Sequence, residues 1–215
     1  MQLFNRKALV AIGVAVTATT TLFAAPTQAA ATAGLAQVLG EHQSIVRFTA
    51  ASGQTNSLVI TISGRTVTLN DRVTIKPGKG CTAVKGDRTK VRCTTSRKPT
   101  ELSVTLGNKN DKAQNKTAVP MVAEGGSGKD TLSGGSNRDR LFGGTGNDNL
   151  SGGAALDAID GGPGNDAIYG GTGNDWLQGD AGNDKIYGQA GNDTMSGGPG
   201  KDKIRGGAGS DKIIG

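Results

Sequence analysis

Ten aspartates recur every nine residues in the C-terminal half of this chain: Asp130, Asp139, Asp148, Asp157, Asp166, Asp175, Asp184, Asp193, Asp202 and Asp211. Each stands sixth in a nonapeptide, and from Gly125 the units follow one another without a gap. They read GGSGKDTLS, GGSNRDRLF, GGTGNDNLS, GGAALDAID, GGPGNDAIY, GGTGNDWLQ, GDAGNDKIY, GQAGNDTMS, GGPGKDKIR and GGAGSDKII. The aspartates supply hard anionic oxygens. The glycines let the backbone take positive φ, crowd close to an ion and present carbonyl oxygens to it. Oxygen donors at this density suit Ca2+, which takes roughly six to eight of them. Donors for softer metals are scarce, because the sole histidine, His42, lies far upstream and only two cysteines exist.

A second column says what positions those carboxylates. The eighth residue of every unit is aliphatic or Met: Leu132, Leu141, Leu150, Ile159, Ile168, Leu177, Ile186, Met195, Ile204 and Ile213. Each belongs to a three-residue strand and should point into a shared core, so strands alternate with glycine-rich turns. A collagen helix would need Gly every third residue, which the stretch 170–179 breaks. A phosphate-binding loop would need one strand–loop–helix unit, not ten loops between strand triplets. A flexible linker would not keep an apolar column in register.

The rest of the chain differs in kind. Residues 125–215 carry twelve acidic and eight basic side chains, a net of −4, and 27 of the 36 glycines. Residues 32–124 carry fourteen basic and six acidic side chains, a net of +8. This places a boundary near Glu124. Aromatics make up only 3% of the chain, too few for a large conventional core, whereas a stacked repeat needs only a thin apolar layer per unit.

Within 32–124, period-two alternation marks half-buried strands. It runs through Leu58, Ile60 and Ile62; Val67 and Leu69; Val73 and Ile75; Val91 and Cys93; and Leu102, Val104 and Leu106. Gly64, Asn70-Asp71 and Pro77-Gly78 supply the breaks. Beyond the leader, only Leu35 to Leu39 is compatible with a helical period. The expectation is a β-rich segment of unreadable topology.

Residues 1–31 have the layout of a secretory signal peptide. Arg6 and Lys7 precede an apolar run from Ala8 to Phe23, Pro26 breaks it, and Ala29, Ala30 and Ala31 offer small-residue cleavage sites. The Thr-rich run is short for a membrane span of roughly 20 residues, so no stable span is expected after processing. A secreted, extracellular protein lives in an oxidising compartment. A disulfide between Cys81 and Cys93 is therefore expected, stabilising by about 3 kcal/mol for a loop of this size.

The ten units resemble the hemolysin-type RTX calcium-binding repeat. That resemblance implies a right-handed parallel β-roll in which two nonapeptides make one turn and Ca2+ sits between successive turns along two edges. One edge would carry Asp130, Asp148, Asp166, Asp184 and Asp202, the other Asp139, Asp157, Asp175, Asp193 and Asp211. Four gaps per edge set a ceiling of about eight ions. Asn137 and Ala155 replace the fourth-position Gly on the second edge, putting the gaps Asp139–Asp157 and Asp157–Asp175 in doubt and leaving about six regular sites. Asp180 and Gln189 depart from Gly at position two. Upstream, GCTAVKGDRTKVRC and LSVTLGNKND are similar to segments of exported calcium-binding proteins of actinobacterial type. This implies that the N-terminal strands are lower rungs of the same stack. Asp111 would be a rung of it and not a firm site, because Lys109 stands where the motif has Gly.

Other readings are bland. No H-E-x-x-H or G-x-S-x-G occurs, so no enzyme is expected. Asp71, Asp87 and Glu101 read as turn or surface residues without pairing partners. The basic clusters at Lys85 to Arg92 and Arg97-Lys98 could hold an anionic cell-wall polymer, though a solvated strand face explains them as well. Few aromatics argue against specific nucleic-acid binding. With its tenth unit ending at Ile214, the roll is expected to expose an open sheet edge at the C-terminal end, a route to self-association. Trp176, Tyr169 and Tyr187 read as surface cover. Lys129, Arg138, Arg140, Lys203, Arg205 and Lys212 read as offsets to the Asp rows.

Overall fold

A computed structural model describes residues 33–40 and 44–214; the leader (1–31) and His42 lie outside the described residues. Among the described residues there are twenty strands and no helix, arranged as two ten-stranded sheets. Over the repeats, the first sheet holds β10 (Met121–Ser127), β12 (Arg140–Thr145), β14 (Ala158–Asp160), β16 (Trp176–Gln178), β18 (Thr194–Ser196) and β20 (Lys212–Ile214). The second holds β11 (Thr131–Ser133), β13 (Asn149–Ala154), β15 (Ala167–Thr172), β17 (Lys185–Ala190) and β19 (Lys203–Ala208). Each strand pairs in parallel with the strand two elements on, as in Leu141↔Ile159 and Leu150↔Ile168. Two nonapeptides thus make one turn of a parallel β-solenoid, and the chain changes sheet at every glycine-rich turn.

The eighth-position column fills the space between the sheets. Leu132, Leu141, Leu150, Ile159, Ile168, Leu177, Ile186 and Met195 are all buried. Packing fades in the last rungs, where Ile204 is partly buried and Ile213 is 56% exposed. Each buried side chain contributes about 1.5–3 kcal/mol, but there is only one per nine residues that must be ordered.

The two sheets run on through the basic segment. β8 (Glu101–Asn108) pairs in parallel with β10, and β2 (Ile45–Thr49) pairs in parallel with β8. In the other sheet β9 (Lys112–Asn115) pairs in parallel with β11, and β3 (Ser57–Ser63) with β9. Glu124 lies inside β10, so the sheets do not break there. Antiparallel pairs close the base. β1 (Gly34–Leu39) pairs with β2, β4 (Thr66–Asn70) with β3, and β7 (Asp87–Thr94) with β4. Beyond these lie β5 (Ile75–Pro77) beside β1 and β6 (Cys81–Val84) beside β7.

The alternating residues fall where period two places them. Leu58, Ile60, Val67, Leu69, Val91, Cys93, Leu102, Val104 and Leu106 are all buried on strands, and chain breaks occur at Gly64, Asp71 and Gly78. Val73 falls in a bend, so only Ile75 of that pair is on a strand. Leu35 to Leu39 is strand β1 and not a helix, because Ala36 and Val38 face the core in alternation while Leu35 stays outside. Cys81 and Cys93 face each other across the β6–β7 ladder and form the expected disulfide.

Candidate metal centre

The glycine-rich turns stack into two edges, and the aspartates on each edge form a ladder. Asp Oδ1 in each turn accepts the backbone N–H of the aspartate one turn earlier. On the first edge Asp130 N donates to Asp148 (2.7 Å), Asp148 to Asp166 (2.7 Å), Asp166 to Asp184 (2.8 Å) and Asp184 to Asp202 (2.9 Å). On the second, Asp139 N donates to Asp157 (2.7 Å), Asp157 to Asp175 (2.9 Å), Asp175 to Asp193 (2.8 Å) and Asp193 to Asp211 (3.1 Å). All ten expected aspartates are therefore brought together, five to an edge. The eight from Asp130 to Asp193 are fully buried, whereas Asp202 and Asp211 in the last turns are half-buried.

One oxygen of each carboxylate is thus fixed; the other is stranded. The Oδ2 atoms of Asp130, Asp148, Asp157, Asp166, Asp175, Asp184 and Asp193 are buried without a hydrogen-bond partner. A stranded buried acceptor costs about 1–3 kcal/mol, and native proteins carry only a few per hundred residues, each calling for an explanation. Here seven point the same way. The first-position Gly supplies the room: a Cβ on Gly143 would lie 2.5 Å from both Asp148 Oδ2 and the Gly161 carbonyl oxygen of the next turn. On Gly125 it would lie 2.5 Å from Asp130 Oδ2 and 2.6 Å from the Gly143 carbonyl. Each gap is therefore an oxygen-lined cradle that a side chain would fill, and its donor set fits Ca2+. First-position carbonyls are part of it, which the Asp column alone did not reveal.

The electrostatics agree. Burial pushes Asp157 and Asp166 up to about 7, and Asp130, Asp139 and Asp175 up to about 6. Neighbouring aspartates add to the rise at all of these except Asp139. Burial also raises Asp148, Asp184 and Asp193. The fold holds these carboxyls where ionisation is penalised, as expected of a site that needs a cation.

The irregular turns behave differently from one another. Ala155 keeps the left-handed backbone of the Gly it replaces, with φ 71°, and Asp180 and Gln189 do the same at 70° and 77°. In the second unit neither Gly135 nor Asn137 has a positive φ. There Gly135 N donates to Asp139 Oδ2 at 2.6 Å, satisfying the oxygen that is free elsewhere. A left-handed Ala costs about 1–2 kcal/mol, partly offset by the freedom that Gly adds to the unfolded chain. Ala155→Gly is accordingly expected to stabilise the roll by about 0.5–1 kcal/mol, read as a higher thermal midpoint in calcium.

Upstream, Asp111 N donates to Asp130 Oδ1 at 2.8 Å, extending the first ladder by one rung. Lys109 adopts φ 98° in place of Gly. The register step there is 19 residues instead of 18, which hid Asp111 from the nine-residue count. Asp71 departs from its reading as a surface residue: it is buried, and burial raises its pKa. Asp87 opens β7 directly after the turn at 85–86, bonded to Thr89 and, against the expectation of no partner, paired with Lys90 at 3.3 Å. Tyr169 and Tyr187 stack with ring centres 5.2 Å apart, and Trp176 is 41% exposed.

Comparison with known families agrees with this geometry. Residues 124–159, 160–195, 169–203 and 187–215 each match the model of the RTX calcium-binding nonapeptide repeat. No curated protein matches the chain.

Proposed function

We propose that this chain, whose residues 124–215 are built of RTX calcium-binding nonapeptide repeats, is a secreted protein whose roll sets as its turns take up calcium outside the cell. The observation that carries this reading is the double row of buried Oδ2 atoms without donors, aimed into cradles that carbonyl oxygens complete. Bound calcium supplies the positive charge and the multiple oxygen coordination that each gap lacks. The chain's own residues do the rest. The Oδ1 ladder fixes each carboxylate, the first-position Gly keeps the gap open, and the aliphatic column gives the turns a common floor. Without the cation the stacked carboxylates repel, and one apolar side chain per unit cannot offset the ordering of so many glycines. Binding and folding then become one event.

Export is supported by the leader-like residues 1–31, by the Cys81–Cys93 disulfide and by the chemistry of the site. Extracellular calcium modules work at ~10⁻⁴ to 10⁻³ M. Such a chain would stay soft in the cell and set after crossing the membrane. Up to about eight interior gaps are available, with fuller occupancy on the Asp130 edge and the weakest site between Asp139 and Asp157, where Gly135 already holds Asp139 Oδ2. Equilibrium dialysis at millimolar calcium tests the reading: several ions per chain are expected, and none bound would overturn it. Anomalous scattering from crystals grown in calcium separates the edges. Equal, complete occupancy of both would contradict the asymmetry.

A further inference from the structure

The first ladder does not stop at the repeats. Asn56 N donates to Asp111 Oδ1 at 2.6 Å, and the next amide, Ser57 N, donates to Asp71 Oδ1 at 2.5 Å. Two carboxylates from distant parts of the chain thus sit on consecutive amides of one short segment. Asp111 comes from the turn between β8 and β9, Asp71 from the end of β4, and Asn56 from the residue before β3. All three are at least nine-tenths buried, at 0%, 5% and 1% exposure.

Each of them leaves one oxygen with no donor: Asp111 Oδ2, Asp71 Oδ2 and Asn56 Oδ1. The amide of Asn56 is oriented by its own bond, Nδ2 donating to Asp111 Oδ1 at 3.3 Å, which leaves Oδ1 as the buried acceptor without a donor. The lower end of the second edge gives the contrast. There Asn115 Oδ1 accepts Thr117 N at 3.0 Å and Thr117 Oγ1 at 2.7 Å, while Asn115 Nδ2 donates to the Val119 carbonyl at 2.9 Å. That turn closes on itself with its side-chain atoms satisfied. The same chain thus finishes one edge with paired polar groups and the other with three buried acceptors. Arg72 is exposed: its amide donates to Asp71 Oδ1 at 2.7 Å, its guanidinium acts on both carboxylates only through space, and burial still raises both Asp71 and Asp111.

We propose that Asn56, Asp71 and Asp111 form a further hard-cation site, outside the nonapeptide repeats, that takes calcium and clamps the β3–β4 hairpin to the base of the roll. Two carboxylate oxygens and one amide oxygen, with no nitrogen or sulfur donor, are the ligand set of a hard divalent cation; water and backbone oxygens can complete the shell. Buried acceptors from three separate segments would otherwise each remain unsatisfied. Filling the site ties segments some fifty residues apart in sequence, as the Asn56–Asp111 bond spans 55.

Native mass spectrometry of the full chain in calcium counts bound ions as integers and tests the site. Asp71→Asn keeps an acceptor for the Ser57 and Arg72 amides but removes a charged ligand, and it is expected to lose one ion relative to the unaltered chain. Thermal unfolding distinguishes this from a structural role. In EDTA the variant should melt no lower than the unaltered chain, because a buried like charge facing Asp111 is gone, while its gain on adding calcium should be smaller. An unchanged ion count, or a melting point lowered equally in EDTA and in calcium, overturns the site. Asp166→Asn separates this from the roll: if it sheds ions while Asp71→Asn does not, the roll reading stands and this site falls. If the unaltered chain binds no calcium, both fall.

Discussion

Asp166→Asn should raise the calcium concentration at which the roll is half folded by about tenfold or more, while leaving the calcium-free chain no less ordered. Asp166 sits in the middle of the regular edge. Its Oδ1 accepts the Asp148 N–H, and its Oδ2 is the stranded oxygen that faces a gap. Asparagine retains the acceptor and loses the charge, so it isolates the ligand role from the ladder role. Asp166→Ala loses both and leaves the Asp148 N–H buried without an acceptor, a further penalty of about 1–3 kcal/mol that should appear with and without calcium. Asp139→Asn is the internal comparison. Its Oδ2 is already held by Gly135, so its effect on the calcium midpoint should be clearly smaller than that of Asp166→Asn. Calcium titrations of the three variants by circular dichroism check this. Equal shifts at Asp139 and Asp166 would contradict the proposed difference between the edges.

Acid should substitute in part for calcium. In the folded chain Asp157 and Asp166 are pushed up to about 7, and Asp130, Asp139 and Asp175 up to about 6, mainly by burial. A carboxyl whose pKa is higher folded than unfolded binds more protons in the fold. Its contribution is therefore complete below the ordinary value of 3.8 and is lost as pH rises through 6 to 7. In EDTA, β-type circular dichroism should grow as pH is lowered from about 7.5 to 5, where several carboxyls become neutral in the fold. In calcium the sign reverses, since protons and the cation compete for the same oxygens. The calcium midpoint should rise as pH falls below about 7, and binding near pH 6 should release protons, visible as heats that depend on the buffer. A calcium-free chain as unstructured at pH 5 as at pH 7.5 would contradict this.

The repeat was legible because every turn of the solenoid imposes the same demands at the same two positions. An Asp at position six and an apolar residue at position eight recur without slippage, and the 18-residue step follows from pairing strands two units apart. What escaped was set by pairing. Alternation in the basic segment told which side chains face inward but not that β2 runs parallel to β8 while pairing antiparallel with β1. Leu35 to Leu39 fits two periods, and only the packing of Ala36 and Val38 decides for the strand. Asn137 and Ala155 look equivalent as departures from Gly. The backbone separates them, because Ala155 accepts the left-handed conformation and Asn137 does not. Asp71 had no partner in sequence, since its neighbours Asn56 and Asp111 arrive only once β3, β4 and β9 pair.

If the carboxylate ladders make calcium binding and folding a single event, one titration should show both together. The most direct test adds calcium to the chain from EDTA, followed in parallel by far-ultraviolet circular dichroism and isothermal calorimetry. Weak β signal from the repeats is expected in EDTA, then a cooperative gain whose midpoint coincides with the uptake of several ions. Full β signal in EDTA that calcium leaves unchanged would contradict it.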